Sequence, residues 1–322
     1  MDFLYNIFGF LFRILFGFIN DYGLALVIFT IFFRLILLPS AVKQQKSQAK
    51  TVRLQPKLRR IREKYQDYSP QERQQKIQQE TNELYQQEGY SSMTGGCLPL
   101  LIQMPILFGL YGVIRLPLTH VLEIPKEAIT KLTEIAVGLG YAANAKDAYA
   151  ELKIIDNLSA ILEKAPDLAT ELGDIITKIE NFDFTMFGLS LGAVPKDAFT
   201  DGSTLSKWLV LIPIISALTS LMTSLLTQYR QKKANPNMDN QQMMGCMMLS
   251  MPLMSLWISY TCPVGLGLYW IFSNILAFLQ TLVLGHFYAP RKTVARLMVD
   301  ETIDRRSYEK AKITAYENQI EE

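Results

Sequence analysis

The sequence predicts an all-α polytopic membrane protein: five transmembrane helices, an outside N-terminus and an inside C-terminus, with a cytoplasmic helical hairpin and an amphipathic N-terminal interfacial helix. Three observations carry this prediction. The apolar residues of the 322-residue chain are gathered into five blocks of spanning length instead of being dispersed as a soluble core requires. Charge is sorted by segment: residues 39–94 hold 11 Lys/Arg against 6 Asp/Glu, whereas residues 116–205 hold 7 against 14. The short segments agree, because Arg230, Lys232 and Lys233 follow the third block and Arg291, Lys292 and Arg296 follow the fifth, which places both on the cytoplasmic side.

Residues 1–21 contain "FLYNIFGFLFRILFGFIN", in which Asp2, Asn6, Gly9, Arg13, Gly17 and Asn20 recur every three or four positions. These form one polar or small stripe on a helix otherwise made of Phe, Leu and Ile, a pattern suited to lying in the membrane interface. No positive n-region opens the chain and its first 90 residues hold no cysteine, so a retained N-terminus without secretory signal or lipoprotein anchor is expected.

The first span is expected over 22–38, "YGLALVIFTIFFRLILL", and it encloses Arg34. Residues 39–94 then read as a charged, Gln-rich helical hairpin. Its first helix runs from about Ala41 to Gln66, with a kink expected at Pro56. Its second opens at Ser69-Pro70-Gln71-Glu72, where Ser69 is placed to cap, Pro70 suits the first turn and Glu72 completes a capping box. Gly89 ends it. Apolar residues are sparse, at positions such as Leu54, Leu58, Ile61, Tyr65, Ile77 and Leu84, and a solvated spacer is the alternative reading.

The second span is expected over 95–115. Residues 116–205 form an enlarged, acidic extracytoplasmic loop of amphipathic helices with no sign of catalytic chemistry. The third span covers 206–229 and carries Ser216, Thr219, Ser220, Thr223, Ser224 and Thr227 at helical spacing, residues that either hydrogen-bond between helices or line a wet cavity. A cytoplasmic loop, 230–242, leads to the fourth span, 243–261, with six methionines between Met243 and Met254, a surface able to repack against varied apolar partners or to fill a core. The fifth span covers 263–287, and residues 288–322 form a cytoplasmic tail.

The composition excludes several classes of chemistry. Cys97, Cys246 and Cys262 lie in or at the ends of spans without disulfide or metal spacing, and His120 and His286 are far apart without nucleophile partners. No phosphate-binding loop is present, so no catalytic residue, cofactor, metal or direct DNA contact is expected. Arg34 is the exception to the apolar rule. A charge near the bilayer centre costs about 2.5–3.5 kcal/mol unless something reaches it, and no span offers an Asp or Glu. The remaining answers are water in a groove, polar neighbours such as Gln103 and the span-three hydroxyls, or snorkelling to the cytoplasmic interface.

Three stretches carry a resemblance: "RLILLPSAVKQQKSQAKTVRLQPKLRRIREKY", "GCLPLLIQMPILFGLY" and "QQMMGCMMLSMPLMSLWISYTCPVGLGLYWIFSNILAFLQ". In this order, and over about 200 residues, the chain resembles the YidC/Oxa/Alb family of membrane protein insertases. The resemblance implies a chaperone-like insertase of the bacterial cell membrane that moves newly made membrane proteins from the cytosol into lipid, without nucleotide, through an arginine-bearing hydrophilic groove. It implies a groove built from Arg34, Gln103, Ser216, Thr219, Ser220, Thr223 and Asn274, and an exit face of Met247, Met251, Met254, Tyr269 and Trp270. The partners it implies are nascent chains, the ribosome through the hairpin and basic tail, the lipid bilayer, and a Sec-type translocon as companion. A large outer domain before the core and a lipoprotein signal, each found in part of the family, are missing from this sequence; the enlarged loop at about 120–183 stands instead. The rival readings are an anion channel or carrier and a membrane assembly scaffold.

Overall fold

A computed structural model of the chain describes residues 2–88, 98–144, 147–197, 204–234, 241–288, 295, 298–299, 302–303 and 305–314. It is mostly helical. Gly89, Cys97, residues 235–240 of the loop expected on the cytoplasmic side, and the basic residues Arg291, Lys292 and Arg296 lie outside the described residues. Among the described residues, Trp208–Arg230 and Val264–Phe287 are each long and apolar enough to cross a membrane, and Tyr22–Ile36 joined to Leu38–Lys46 makes a third candidate, broken at Leu37. The chain divides into two compact units: Met1–Ile36, Pro99–Thr227 and Asn240–Phe278 in the first, and Leu37–Leu98, Gln228–Asp239 and Leu279–Glu322 in the second.

The first unit begins with α1 (Asp2–Ile19) and α2 (Tyr22–Ile36), joined by two residues. Asn20 takes the left-handed conformation at φ 53° and its amide bonds back to the Phe16 carbonyl. Asp21 then accepts the Leu24 amide at 2.8 Å. The link thus closes one helix and caps the next with its own polar groups, as free helix ends require. One face of α1 buries Phe8 and Phe12 against an aromatic cluster with Tyr22, Phe29 and Phe33. The opposite face, Phe3, Ile7, Phe10, Ile14 and Phe18, is exposed. Between the two, Arg13 of the polar stripe pairs with Glu123. Helix α5 (Leu98–Arg115) receives α1 at two glycines: a Cβ on Gly109 would meet the Phe8 ring, and one on Gly112 the Tyr5 ring.

Beyond α5 the chain forms a small helical layer with its own core. Helices α6 (Pro117–His120), α7 (Lys126–Gly138), α8 (Ala150–Lys164), α9 (Asp167–Glu171) and α10 (Gly173–Glu180) enclose Leu118, Leu132, Ile154, Ile161, Ile176 and Ile179. The amphipathic spacing in the sequence produces this core directly. Glu151, at the start of α8, is buried and accepts both the amide (3.1 Å) and the hydroxyl (2.5 Å) of Thr119. Burial pushes its carboxyl above the usual range, and the Thr119 bonds offset that only in part.

A two-stranded antiparallel hairpin, β1 (Thr185–Met186) and β2 (Leu189–Ser190), follows and is a feature absent from the all-α expectation. After it come the long helices α11 (Thr204–Ala234), α12 (Gln241–Thr261) and α13 (Val264–Phe287).

The second unit contains α3 (Leu38–Lys64) and α4 (Pro70–Gln87). Helix α3 continues through Pro56, so the residue breaks no helix there. Pro39 stands at the second position of α3, where its missing N–H matters least. At the start of α4, Ser69 is the N-cap residue and Pro70 the first helical one, but the Ser69 hydroxyl bonds the Glu72 carboxylate at 2.8 Å and not a backbone amide. The two helices pack on Leu54, Leu58 and Tyr65, all buried. Lys64 and the Tyr65 hydroxyl both reach Glu80, while Lys76 lies 3.9 Å over the Tyr68 ring. Elsewhere in this unit, Arg230 donates to the Thr281 carbonyl and packs against Gly285.

Candidate functional site

Arg34 lies twelve residues into α2, about 18 Å along its axis from Tyr22 at the helical rise. Its side chain is largely withdrawn from solvent. One terminal nitrogen, Nη2, donates to both the backbone carbonyl and the hydroxyl of Ser273 on α13, each at 2.7 Å. Hydrogen bonds to a charged group each contribute about 1.5–3 kcal/mol. Two of them are the right size to offset about 2.5–3.5 kcal/mol of insertion cost. The internal partner is therefore a neutral helix, and Ser273 supplies it in place of the Gln103 and span-three hydroxyls that the sequence offered.

Those residues stand close by in the same unit. Gln103 donates through Nε2 to the Tyr269 hydroxyl at 2.7 Å, one turn of α13 before Ser273. Tyr269 is only 4 % exposed. Asn274, next to Ser273, donates through Nδ2 to the Thr219 hydroxyl at 3.3 Å and the Ser216 carbonyl at 3.4 Å, and its own carbonyl accepts the Thr223 hydroxyl at 3.2 Å. Ser216 continues the chain into α12, its hydroxyl 2.7 Å from that of Ser255 and 2.9 Å from that of Ser259, all three fully buried. Ser220 is buried on the same helix.

The site is thus a polar seam across α2, α5, α11, α12 and α13, with one fixed cation at one end and neutral donors and acceptors along the rest. Small residues let the helices come together here: a Cβ on Gly267 of α13 would lie 2.7 Å from Ile212 and 3.5 Å from Ser259. Of the residues assigned by resemblance to an exit face, Met251 and Met254 are exposed, Trp270 is half-buried, and Tyr269 belongs to the buried seam. The side chain of Met247 lies outside the described residues. The seam offers no nucleophile–base pair, and among the described residues no group of His, Cys, Asp or Glu could hold a metal ion.

Comparison with known proteins adds the family. Residues 14–291 match the family model described as 60Kd inner membrane protein. This chain belongs to the YidC/Oxa/Alb family. Among its relatives, "Membrane protein insertase YidC 1" of Listeria monocytogenes serotype 4b is 28% identical over 297 residues, covering 92% of this chain and 75% of that protein. "Membrane protein insertase YidC 1" of Bacillus anthracis is 29% identical over 266 residues, covering 82% and 72%. "Membrane protein insertase YidC" of Treponema denticola is 30% identical over 276 residues, 85% of this chain and 36% of the longer relative. As a member of this YidC/Oxa/Alb family, the chain is a multi-pass bacterial membrane protein, in keeping with its apolar helices.

What sequence reasoning missed is Ser273. Its hydroxyl looked like one more small polar residue in an apolar helix, and its carbonyl carries no sequence signal. The pointer was indirect: an arginine without an acidic partner must find neutral oxygen acceptors.

Proposed function

We propose that this chain is a membrane protein insertase that carries newly made membrane proteins from the cytosol into the bilayer along a groove whose wall bears Arg34. The observation that carries the reading is the Arg34–Ser273 pairing. The arginine keeps its full charge beside a neutral acceptor, so its field remains available to an incoming acidic segment, which an Asp or Glu partner would have cancelled. A hydrophilic substrate segment enters from the cytosol toward Arg34, Gln103, Ser216, Thr219, Ser220, Thr223 and Asn274. Its apolar segment then passes along Met247, Met251, Met254 and Trp270 into lipid, where burial returns about 25 cal/mol per Å². The substrate's own hydrophobicity drives this step, and nucleotide plays no part.

The same reading gives the chain five spans with the N-terminus outside, α1 in the interface and the C-terminal tail inside. The α3–α4 hairpin receives the nascent chain and, with the basic tail, faces the ribosome, with a Sec-type translocon as a companion. The decisive experiment is rescue of growth, by this chain, in bacteria depleted of their own insertase. Rescue supports insertion. Failure to rescue, combined with anion flux in liposomes holding the purified protein alone, overturns it.

A further inference from the structure

The β1–β2 hairpin turns through only two residues, Phe187 and Gly188, since Thr185 pairs with Ser190 and Met186 with Leu189. Both turn residues have positive φ, 53° and 74°. Such a turn matches the twist of a hairpin, but its first position ordinarily goes to Asn, Asp or Gly, because a Cβ crowds the backbone there. A large aromatic residue at this position carries a backbone cost, and packing does not repay it: Phe187 is 78 % exposed.

The base of the hairpin, by contrast, is fixed to the ends of apolar helices. Met186 covers Gly23, in the first turn of α2, so closely that a Cβ there would lie 2.8 Å from its side chain. Phe184 packs on Tyr22 with ring centroids 4.6 Å apart. After β2, the Leu191 carbonyl accepts the Gly265 amide at 2.9 Å and the Ala193 carbonyl accepts the Val264 amide at 2.8 Å, both at the start of α13. The base of the hairpin is therefore fixed at the end where α2 and α13 begin; Phe18, near the end of α1, and Leu24, in the first turn of α2, are exposed apolar residues of that same end.

We infer that Phe187 is a lipid anchor: the hairpin holds its ring in the interfacial zone of the bilayer and so fixes the depth at which α2 enters the membrane. Aromatic rings are favoured in that zone. The partner is lipid because the hairpin is tied at its base to the first turns of membrane-crossing helices and shares that end with the exposed apolar residues Phe18 and Leu24. This inference rests on α2 and α13 crossing the membrane but not on the insertase reading.

The test uses the full chain with Phe187→Trp, reconstituted in phosphatidylcholine–phosphatidylglycerol vesicles whose acyl chains are brominated near the glycerol end. The emission added over the parent protein, which has three tryptophans of its own, is expected to fall roughly twofold or more in the brominated vesicles and to resist aqueous iodide. Quenching by iodide without quenching by bromine overturns the inference, as does protection from both, which would mean that protein covers the tip. Phe187→Asn separates anchoring from folding. Asn tolerates the left-handed turn, so its melting temperature in detergent is expected to equal or exceed the parent's; a clear fall would assign the ring to packing and overturn the inference.

Discussion

The guanidinium of Arg34 and the hydroxyl and carbonyl of Ser273 form two hydrogen bonds of 2.7 Å between α2 and α13. A charge inside an apolar bundle is thereby tied down without being neutralised. Arg34→Lys keeps the charge and is expected to retain most insertion of an acidic-tailed substrate, whereas Arg34→Ala loses it. Ser273→Ala removes only one of the two acceptors of a charged donor, so a local stability loss of about 1.5–3 kcal/mol and a partial insertion defect are expected. Protease protection of the substrate in depleted cells measures insertion, and wild-type activity of Arg34→Ala would end the groove reading.

Ser216 sits where three buried hydroxyls meet. Interhelical hydrogen bonds in membranes average about 0.6 kcal/mol, so Ser216→Ala should lower stability only by about that amount. Asn274→Leu is expected to cost several times more, because it strands the contacts to Ser216 and Thr219 and adds branched bulk to a close-packed seam. Thermal unfolding in detergent compares the two. Equal costs would show that Asn274 does not organise the seam.

Gly109 and Gly112 receive the Phe8 and Tyr5 rings. Gly112→Val leaves α5 intact as a helix but blocks the docking of α1. The expected result is protease cleavage at or near Asn20 in the reconstituted variant, where the parent resists; resistance in both would mean that α1 is held elsewhere.

Glu151 is expected to make the α6–α10 layer sensitive to pH. Its carboxyl titrates above the ordinary range when folded because burial disfavours the anion. The folded state therefore binds this proton more tightly than the unfolded one. The contribution is fully present below the unfolded carboxylate range and is lost as pH rises through the elevated folded value. Amides of α6 and α8 should accordingly exchange more slowly at mildly acidic than at neutral pH, after correction for intrinsic rates, and Glu151→Gln should flatten the difference. An unchanged profile in the variant would assign the dependence to another group.

The α3–α4 hairpin gives a further test. Photocrosslinkers at exposed positions between Ala41 and Glu88 are expected to capture nascent membrane proteins, and deletion of 67–89 to reduce insertion. Full insertion after that deletion would make the hairpin a spacer.

The helical character of the chain was legible in its apolar blocks, and the start of α4 in Ser69-Pro70, because both depend on local preferences. The polar seam was legible in part: Arg34, Gln103, Ser216, Thr219 and Asn274 stand out against apolar surroundings, and they do converge. Ser273 did not stand out, since its contribution is partly a backbone carbonyl. The β-hairpin was illegible for two reasons. Its strands are two residues long, and Phe187 occupies a turn position where sequence rules look for Asn or Gly. The separate core of the α6–α10 layer was visible as spacing, but nothing in the spacing marked the carboxylate of Glu151 as buried.

The two-residue link between α1 and α2 has no slack: Asn20 and Asp21 are each committed, one to ending a helix and the other to starting the next. Adding or removing one residue between Phe12 and Asn20 would rotate everything before it by about 100°. Phe8 would leave its cluster with Phe29 and Phe33, the Gly109 notch would face the wrong side chain, and the outward stripe from Phe3 to Ile14 would turn with them. The length of this segment is therefore under tighter constraint than its composition. Many apolar exchanges along the exposed face should pass unnoticed where a single-codon deletion would not.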